Sequence, residues 1–496
     1  MPPVASDRRW GSARATPVCA KGISDADSLN RQSHRLGSLG PLLLSSASLT
    51  IDPSPLHTVE ENTTESAIIV GVITRDETRW DVRDHLNELE QLARTAGATV
   101  TGRVTQSRTS PDPATFIGSG KVKELKRRAG EQDADLVIFD DDLAPVQVRN
   151  IEKDVDCKLL DRSGLILDIF ASRAQTAAAK TQVELAQLDY TRSRLTRRWT
   201  HLSRQEGGIG TKGPGETQIE TDRRLIDTRM AKLRDRLDKL DQQRQTQRKG
   251  RSSHTTVSLV GYTNAGKSTL MNALADADVF SENRLFATLD ATTRTVELDT
   301  NKEVLMSDTV GFIRKLPHRL IESFKSTLDE VRESDVLVHV VDVTHRRYEE
   351  HMQVVNETLR ELDAGDKPTL VVFNKVDALD DRNLLRALRK EHPDAAFVSA
   401  LRGIGLEALK EKLLDVIEKD YVERVAYIPV TEPKTISRVH ELADVVSEDY
   451  MYAENGTGPQ AVARMHFRAA ERNDDRITEM LAPFNDLRPT VEDDVS

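Results

Sequence analysis

The stretch Gly261-Tyr262-Thr263-Asn264-Ala265-Gly266-Lys267-Ser268 carries the first chemistry in the sequence. It fits GxxxxGKS, with the apolar run Thr256-Val257-Ser258-Leu259-Val260 before it and Thr269-Leu270-Met271-Asn272-Ala273-Leu274 behind it. A strand, a glycine loop and a helix N-terminus in that order make a phosphate cradle. The glycines let backbone N–H groups wrap the anion, and the helix end adds positive potential. Lys267 is expected to reach the outer phosphates, and Ser268 to ligate Mg²⁺.

The base is read further on. Asn374-Lys375-Val376-Asp377 follows Leu370-Val371-Val372-Phe373 and matches NKxD, the guanine-reading motif of GTPases. Asp377 can accept from the ring N–H and the exocyclic amine of guanine. Adenine lacks that donor pair and leaves a buried carboxylate unpaired. Lys375 is expected to cover the base plane, and Asn374 to tie this loop to the phosphate loop. The backbone at Ser399-Ala400-Leu401 is expected to meet the guanine oxygen.

Between these motifs lie two switch segments. Asp308-Thr309-Val310-Gly311 matches DxxG: Asp308 is expected to hold Mg²⁺ through water, and the Gly311 N–H to meet the γ-phosphate. Phe286-Ala287-Thr288-Leu289-Asp290 belongs to the first switch, with Thr288 chosen as the second protein ligand to Mg²⁺. Thr292, Thr293 and Thr295 compete on spacing alone. The groups expected to act on the reacting phosphate are Lys267, Thr288 and Gly311, with Ser268 and Thr288 holding the metal. Many GTPases place a water-orienting glutamine directly after DxxG. Here that residue is Phe312, so slow intrinsic hydrolysis is expected, with the missing group supplied from elsewhere.

These motifs need an α/β scaffold, expected over 255–420 as a mostly parallel sheet with flanking helices. Strand-like runs at 67–73, 98–100, 135–140 and 157–161 alternate with helical patterns, predicting a smaller α/β domain over 67–171. From 172 to 250 the period changes. Leu188, Leu195 and Leu202 repeat every seven residues, with Leu185 and Trp199 on the neighbouring row. Ile219, Ile226, Leu233 and Leu240 repeat likewise, with Met230 and Leu237 between them. Two such seams predict an antiparallel helical hairpin whose tip is the glycine-rich stretch Gly207 to Glu216, with Thr217 or Thr221 helping to start the second helix. Residues 423–490 predict a small C-terminal α+β domain, with strands near 428–430 and 461–467 and a helix between them.

The 496 residues carry a net charge of −11, which argues against indiscriminate nucleic-acid binding. The charge is segregated, however: 172–250 holds 18 Lys+Arg against 10 Asp+Glu, with Arg192, Arg194, Arg197, Arg198, Arg204 and Lys212 toward the tip. A basic arm reads as a solvated coiled-coil face or as a polyanion-binding element. Two cysteines, Cys19 and Cys157, make no disulfide framework and suggest a reducing compartment. No apolar run approaches the roughly 18 residues needed to span a bilayer. Residues 1–66, rich in Ser, Pro and Arg, read as a disordered tail or an over-extended gene start more than as a transit peptide.

Across about 67–490 the chain resembles the HflX family of translational GTPases. The segments that carry the resemblance are FIGSGKVKEL (116–125), GGIGTKGPGETQIETDRR (207–224), GYTNAGKSTL (261–270), LFATLDATTR (285–294) and DTVGFIRKLPHRLIESFKSTLDE (308–330). The resemblance implies a magnesium-binding threonine at 288 and a hydrophobic residue after DxxG. It also implies a cytoplasmic, monomeric GTPase whose partners are the large ribosomal subunit and its RNA, with no membrane contact, acting in splitting or rescue of stalled ribosomes or in ribosome assembly. On that reading the hairpin points into ribosomal RNA, and the charge on it is the expected electrostatic footprint. The alternatives are a GTPase acting on another structured RNA, in RNA processing or tRNA modification, and a scaffold whose hairpin is a dimerising coiled coil.

Overall fold

The structure, a computed structural model, describes residues 64–195, 214–248, 255–275, 285–299, 302–315, 325–379, 381–419, 421–455 and 458–489. The segment 207–213 of the expected hairpin tip, with Arg197, Arg198, Trp199, Leu202, Arg204 and Lys212, lies outside the described residues, as do 1–63 of the expected tail.

The first sheet is parallel. Its strands are β1 (Ser66–Ile73), β2 (Thr99–Ser107), β3 (Leu136–Phe139) and β4 (Lys158–Asp161), in the order β2-β1-β3-β4. Helices α1 (Arg79–Thr95), α2 (Ser119–Glu131), α3 (Pro145–Val155) and α4 (Arg162–Arg173) flank it. The first strand starts one residue earlier than the expected Ala67 because Ser66 is fastened. Its N–H donates to the Asp135 carboxylate at 2.9 Å and its Oγ to the Asp133 carbonyl at 2.6 Å. Helix α1 opens with a capping box in which Thr78 and Asp81 satisfy each other's backbone N–H. It buries Val82, Leu86, Leu89 and Leu92, the helical spacing of one apolar face.

Two helices form the hairpin, α5 (Ala177–Arg194) and α6 (Pro214–Arg248). Leu185, Leu188 and Leu195 of the first arm meet Ile226, Met230, Leu233 and Leu237 of the second in one apolar seam. Ion pairs Arg192–Asp227 (2.9 Å) and Arg229–Glu184 (2.6 Å) cross beside it. Helix α6 begins at Pro214, ahead of the expected starters Thr217 and Thr221. Proline suits a first turn, where its missing N–H has no helical partner to lose. Ala179, Val183 and Ala186 of α5 join the core around α1 and α4, so this arm is rooted in the N-terminal sheet domain.

The next sheet has β5 (Thr255–Gly261), β6 (Thr292–Asp299), β7 (Lys302–Asp308), β8 (Val336–Asp342), β9 (Thr369–Asn374) and β10 (Ala396–Phe397) in the order β10-β9-β8-β5-β7-β6. All pairs are parallel except β6 with β7. Helices α7 (Lys267–Leu274), α8 (Lys325–Glu333), α9 (Tyr348–Glu361), α10 (Arg382–Glu391) and α11 (Leu406–Glu418) accompany it. The last sheet is antiparallel: β11 (Tyr421–Pro429), β12 (Asp444–Asn455), β13 (Gly458–Ala470) and β14 (Arg488–Pro489), with α12 (Pro433–Leu442) and α13 (Glu471–Leu481). Strand β12 falls between the two strands expected there. Its polar residues and a register shift between Val445 and Ser447 break the apolar alternation that marks a strand.

One core crosses from the first sheet domain into the P-loop domain. Leu89, Ile166 and Phe170 belong to the same apolar cluster as Leu285, Phe286, Leu289, Phe312 and Leu359. The fold is multidomain α/β, with a P-loop domain whose sheet is parallel but for one edge strand.

Candidate nucleotide site

Strand β5 lies in the middle of its sheet, between β7 and β8, and delivers the phosphate loop at its C-terminal end. Two glycines there are required by space. Gly266 has φ +95°, and a Cβ on it would sit 2.3 Å from Asn374 Nδ2. A Cβ on Gly311 would lie 2.7 Å from the Thr263 Cα and 3.0 Å from Lys267 Nζ. The loop and the DxxG segment can therefore close around a phosphate only with bare backbone at both points.

A cleft lined by Thr263, Asn264, Gly266, Lys267, Ser268, Thr269, Phe286, Ala287, Thr288, Thr309 and Gly311 joins the loop to both switches. Lys267 is buried, and its ammonium donates to the carbonyls of Gly261 (3.1 Å) and Tyr262 (3.2 Å). Burial lowers its pKa to about 8, against the opposing pull of Asp308. The Ser268 hydroxyl donates to Asp308 Oδ2 at 2.6 Å, the Thr288 hydroxyl donates to the same oxygen at 2.9 Å, and the two hydroxyls are 2.8 Å apart. Burial raises the pKa of Asp308, and its Oδ1 is buried without a hydrogen-bond partner. Two hydroxyls and a carboxylate are hard oxygen donors, the set that suits Mg²⁺. Among the competing threonines, Thr293 pairs its Oγ1 with Ser307 Oγ at 2.9 Å, on the strand beyond the cleft.

The base-reading residues are tied to this cleft without lining it. Asn374 donates from Nδ2 to the Ala265 carbonyl (2.9 Å) and accepts at Oδ1 from the Ala400 N–H (3.0 Å). Lys375, at φ +66°, donates to the Asn264 carbonyl (2.9 Å) and to Asp342 Oδ2 (2.7 Å). Three loops are thereby pinned together. Val376 opens a short 3₁₀ turn with Asp377, and the Asp377 carboxylate lies 3.6 Å from Arg402 Nε. Ser399 is fully buried, whereas Leu401 is 79% exposed.

Several side chains named from the motifs face elsewhere. Leu289 and Val310 are core residues. Tyr262 lends only backbone to the phosphate loop. Its hydroxyl donates to Glu88 of α1 (2.8 Å) and accepts from the Arg314 N–H (3.0 Å), and its ring stacks on His351 with centroids 3.7 Å apart. The Asp290 carboxylate does not line the cleft and accepts hydrogen bonds from Gln175 and Thr176. Phe312 is buried, and its backbone stitches the second switch to the loop through Gly261 (3.1 Å) and Thr263 (2.7 Å).

Motif spacing does not reveal the charged cluster behind the switch. Arg314 forks onto both oxygens of Asp140 (2.9 and 2.8 Å), which also accepts from Arg162 (2.9 Å). Arg162 also pairs with Glu88, and Lys315 pairs with Asp141. Burial acts to raise the Asp140 pKa, but Arg314, Arg162 and Lys315 hold it below the usual carboxylate value. The only signal in the sequence is the run of acids at 140–142 after an apolar strand.

A GTPase HflX from Flavobacterium psychrophilum is 47% identical over 73% of this chain and 93% of its own length. One from Escherichia coli is 42% identical over 77% and 90%. The chain belongs to the HflX family of GTPases. Family models agree along its length: a GTP-binding GTPase N-terminal region matches 83–171, a GTP-binding GTPase middle region 173–251, and a 50S ribosome-binding GTPase 256–375. A solved GTP-binding protein from Sulfolobus solfataricus in complex with GDP is 25% identical over 71% of this chain and 98% of that one, with a TM-score of 0.38. In this HflX-family chain, no helix among the described residues is long and apolar enough to cross a membrane.

Proposed function

We propose that this HflX-family chain is a Mg²⁺-dependent GTPase of the cytoplasm that acts, as a monomer, on the large ribosomal subunit in splitting or rescue of stalled ribosomes or in ribosome assembly. The observation that carries the reading is the meeting of Ser268, Thr288 and Asp308 beside Lys267 and Gly311. Ser268 and Thr288 would hold the metal, with Asp308 behind them. When bound, it neutralises charge on the phosphate oxygens. Lys267 binds the outer phosphates, and the Gly311 N–H, with no side chain in the way, meets the transferred one. Asp377 selects guanine, and Asn374 holds its loop to the phosphate loop.

Phe312 offers no hydrogen bond to a water, so the chain alone hydrolyses slowly and the partner completes the site. The basic hairpin is the element that meets ribosomal RNA. The match of 256–375 to a 50S ribosome-binding GTPase model supports that partner. The test is GTP turnover with and without purified large subunits, alongside co-sedimentation in GTP-analogue, GDP and nucleotide-free states. Turnover rises with subunits, and binding is strongest with the analogue. Equal turnover at saturating subunit overturns the ribosomal reading; tight binding to isolated RNA without ribosomes points to RNA processing instead.

A further inference from the structure

The first switch, from Leu285 to Asp290, is held by the phosphate cleft, by the phosphate loop, by an apolar core and by the start of the hairpin. Thr288 faces the phosphate cleft through Ser268 and Asp308. Leu285, Phe286 and Leu289 are buried in the core shared with α1 and α4, where the Phe286 ring meets Phe170 edge-on, centroids 4.8 Å apart. Phe286 adopts φ +54° while its N–H donates to Thr263 Oγ1 at 3.0 Å, so the segment turns sharply at the phosphate loop. Asp290 then reaches the start of the hairpin. Its Oδ2 accepts from the backbone N–H groups of Gln175 (2.9 Å) and Thr176 (3.1 Å), and its Oδ1 accepts from the Thr176 hydroxyl. That hydroxyl also accepts from the Ala179 N–H at 3.1 Å, so the residue that caps α5 is the residue that Asp290 grips.

We propose that Asp290 is the positioning residue through which the state of the first switch is passed to the hairpin. Only Leu289 separates it from Thr288, too little chain to absorb a shift in one without moving the other. Whatever draws Thr288 toward a bound nucleotide draws on the first turn of α5. An acid there suits the helix's unsatisfied N–H groups, but it comes from a segment 114 residues away in sequence, on a different domain. The contact therefore reports on switch position rather than on α5 alone. This inference rests on the nucleotide-site reading above.

Hydrogen exchange on the full chain, with GDP, with a non-hydrolysable GTP analogue and without nucleotide, tests it. In the wild type, exchange across 175–180 differs by about tenfold or more between the GDP and analogue states, and the phosphate loop at 261–268 is protected by both. Thr176→Asp keeps a good helix cap but turns a carboxylate onto Asp290. In that variant 175–180 exchanges alike in both states, while the phosphate loop keeps its protection. Thr176→Ser, which retains the hydroxyl, restores the difference. If Thr176 acted only as a cap, Thr176→Asp would behave as wild type, and that result overturns the proposal. A wild type whose phosphate loop is protected but whose 175–180 exchange is the same in both states overturns the coupling alone, whether or not the variants fold. A phosphate loop unprotected by either nucleotide overturns the site reading and the coupling with it.

Discussion

Asp377 and Asp290 are both carboxylates in motifs expected to bind nucleotide, and the structure gives them unlike surroundings. Asp377 stands at the end of a loop pinned by Asn374 and Lys375, with Arg402 as its charged neighbour. On the proposed reading, Asp377→Asn would replace one acceptor with a donor facing the guanine N–H. GTP affinity is expected to fall about 100-fold or more, with a gain for xanthine nucleotides, measured by fluorescent-nucleotide titration. Unchanged GTP affinity would mean that the base is read elsewhere. That the phosphate-loop and DxxG residues share one cleft, with the NKxD loop tied to it, could be expected from the sequence because such motifs fix residue types at short spacing. The directions of the Tyr262 and Asp290 side chains could not. A motif names a backbone path, and a side chain on that path is free to face another domain.

At the scale of elements, the hairpin was legible from its seven-residue period, and the seam at Leu185, Ile226, Met230 and Leu233 follows it. Its root was not. Helix α4 and the inner face of α5 are rich in Ala, Leu and Ile without a clean stripe, since they are buried on several sides. Met230 is nearly inaccessible in the seam. Met230→Ala should cost about 2–4 kcal/mol. The loss falls on the arm, because no described residue of the seam comes from the P-loop domain. Limited proteolysis should then cut α6 faster while nucleotide affinity holds. Equal loss of nucleotide affinity would show that the arm is not a separable element.

For the whole molecule, the decisive contacts join residues far apart in sequence. Arg314 and Asp140 are 174 positions apart, and no local pattern announces them as partners. Their pair is largely buried, at 14% and 4% side-chain exposure, and sits where the second switch meets the N-terminal sheet domain. Arg314→Met removes the most buried of the cross-domain pairs but leaves Asp140 its contacts with Arg162 and Lys315. The expected cost is about 3 kcal/mol, the lower end for a broken buried pair. Calorimetry is expected to show one transition for the wild type and a broadened or split one for the variant, as its domains melt apart. An unaltered melting profile would show that the Arg314–Asp140 pair is dispensable to their union.

The grip of Asp290 on the first turn of α5 has a further consequence, because linkage is reciprocal in free energy. If nucleotide biases the arm, then anything that clamps the arm biases nucleotide by the same factor. A partner holding the hairpin in one pose would act as an exchange or retention factor without touching the phosphate cleft. The order of events, GTP before docking or docking before GTP, would then follow from concentrations in the cell rather than from the chain itself.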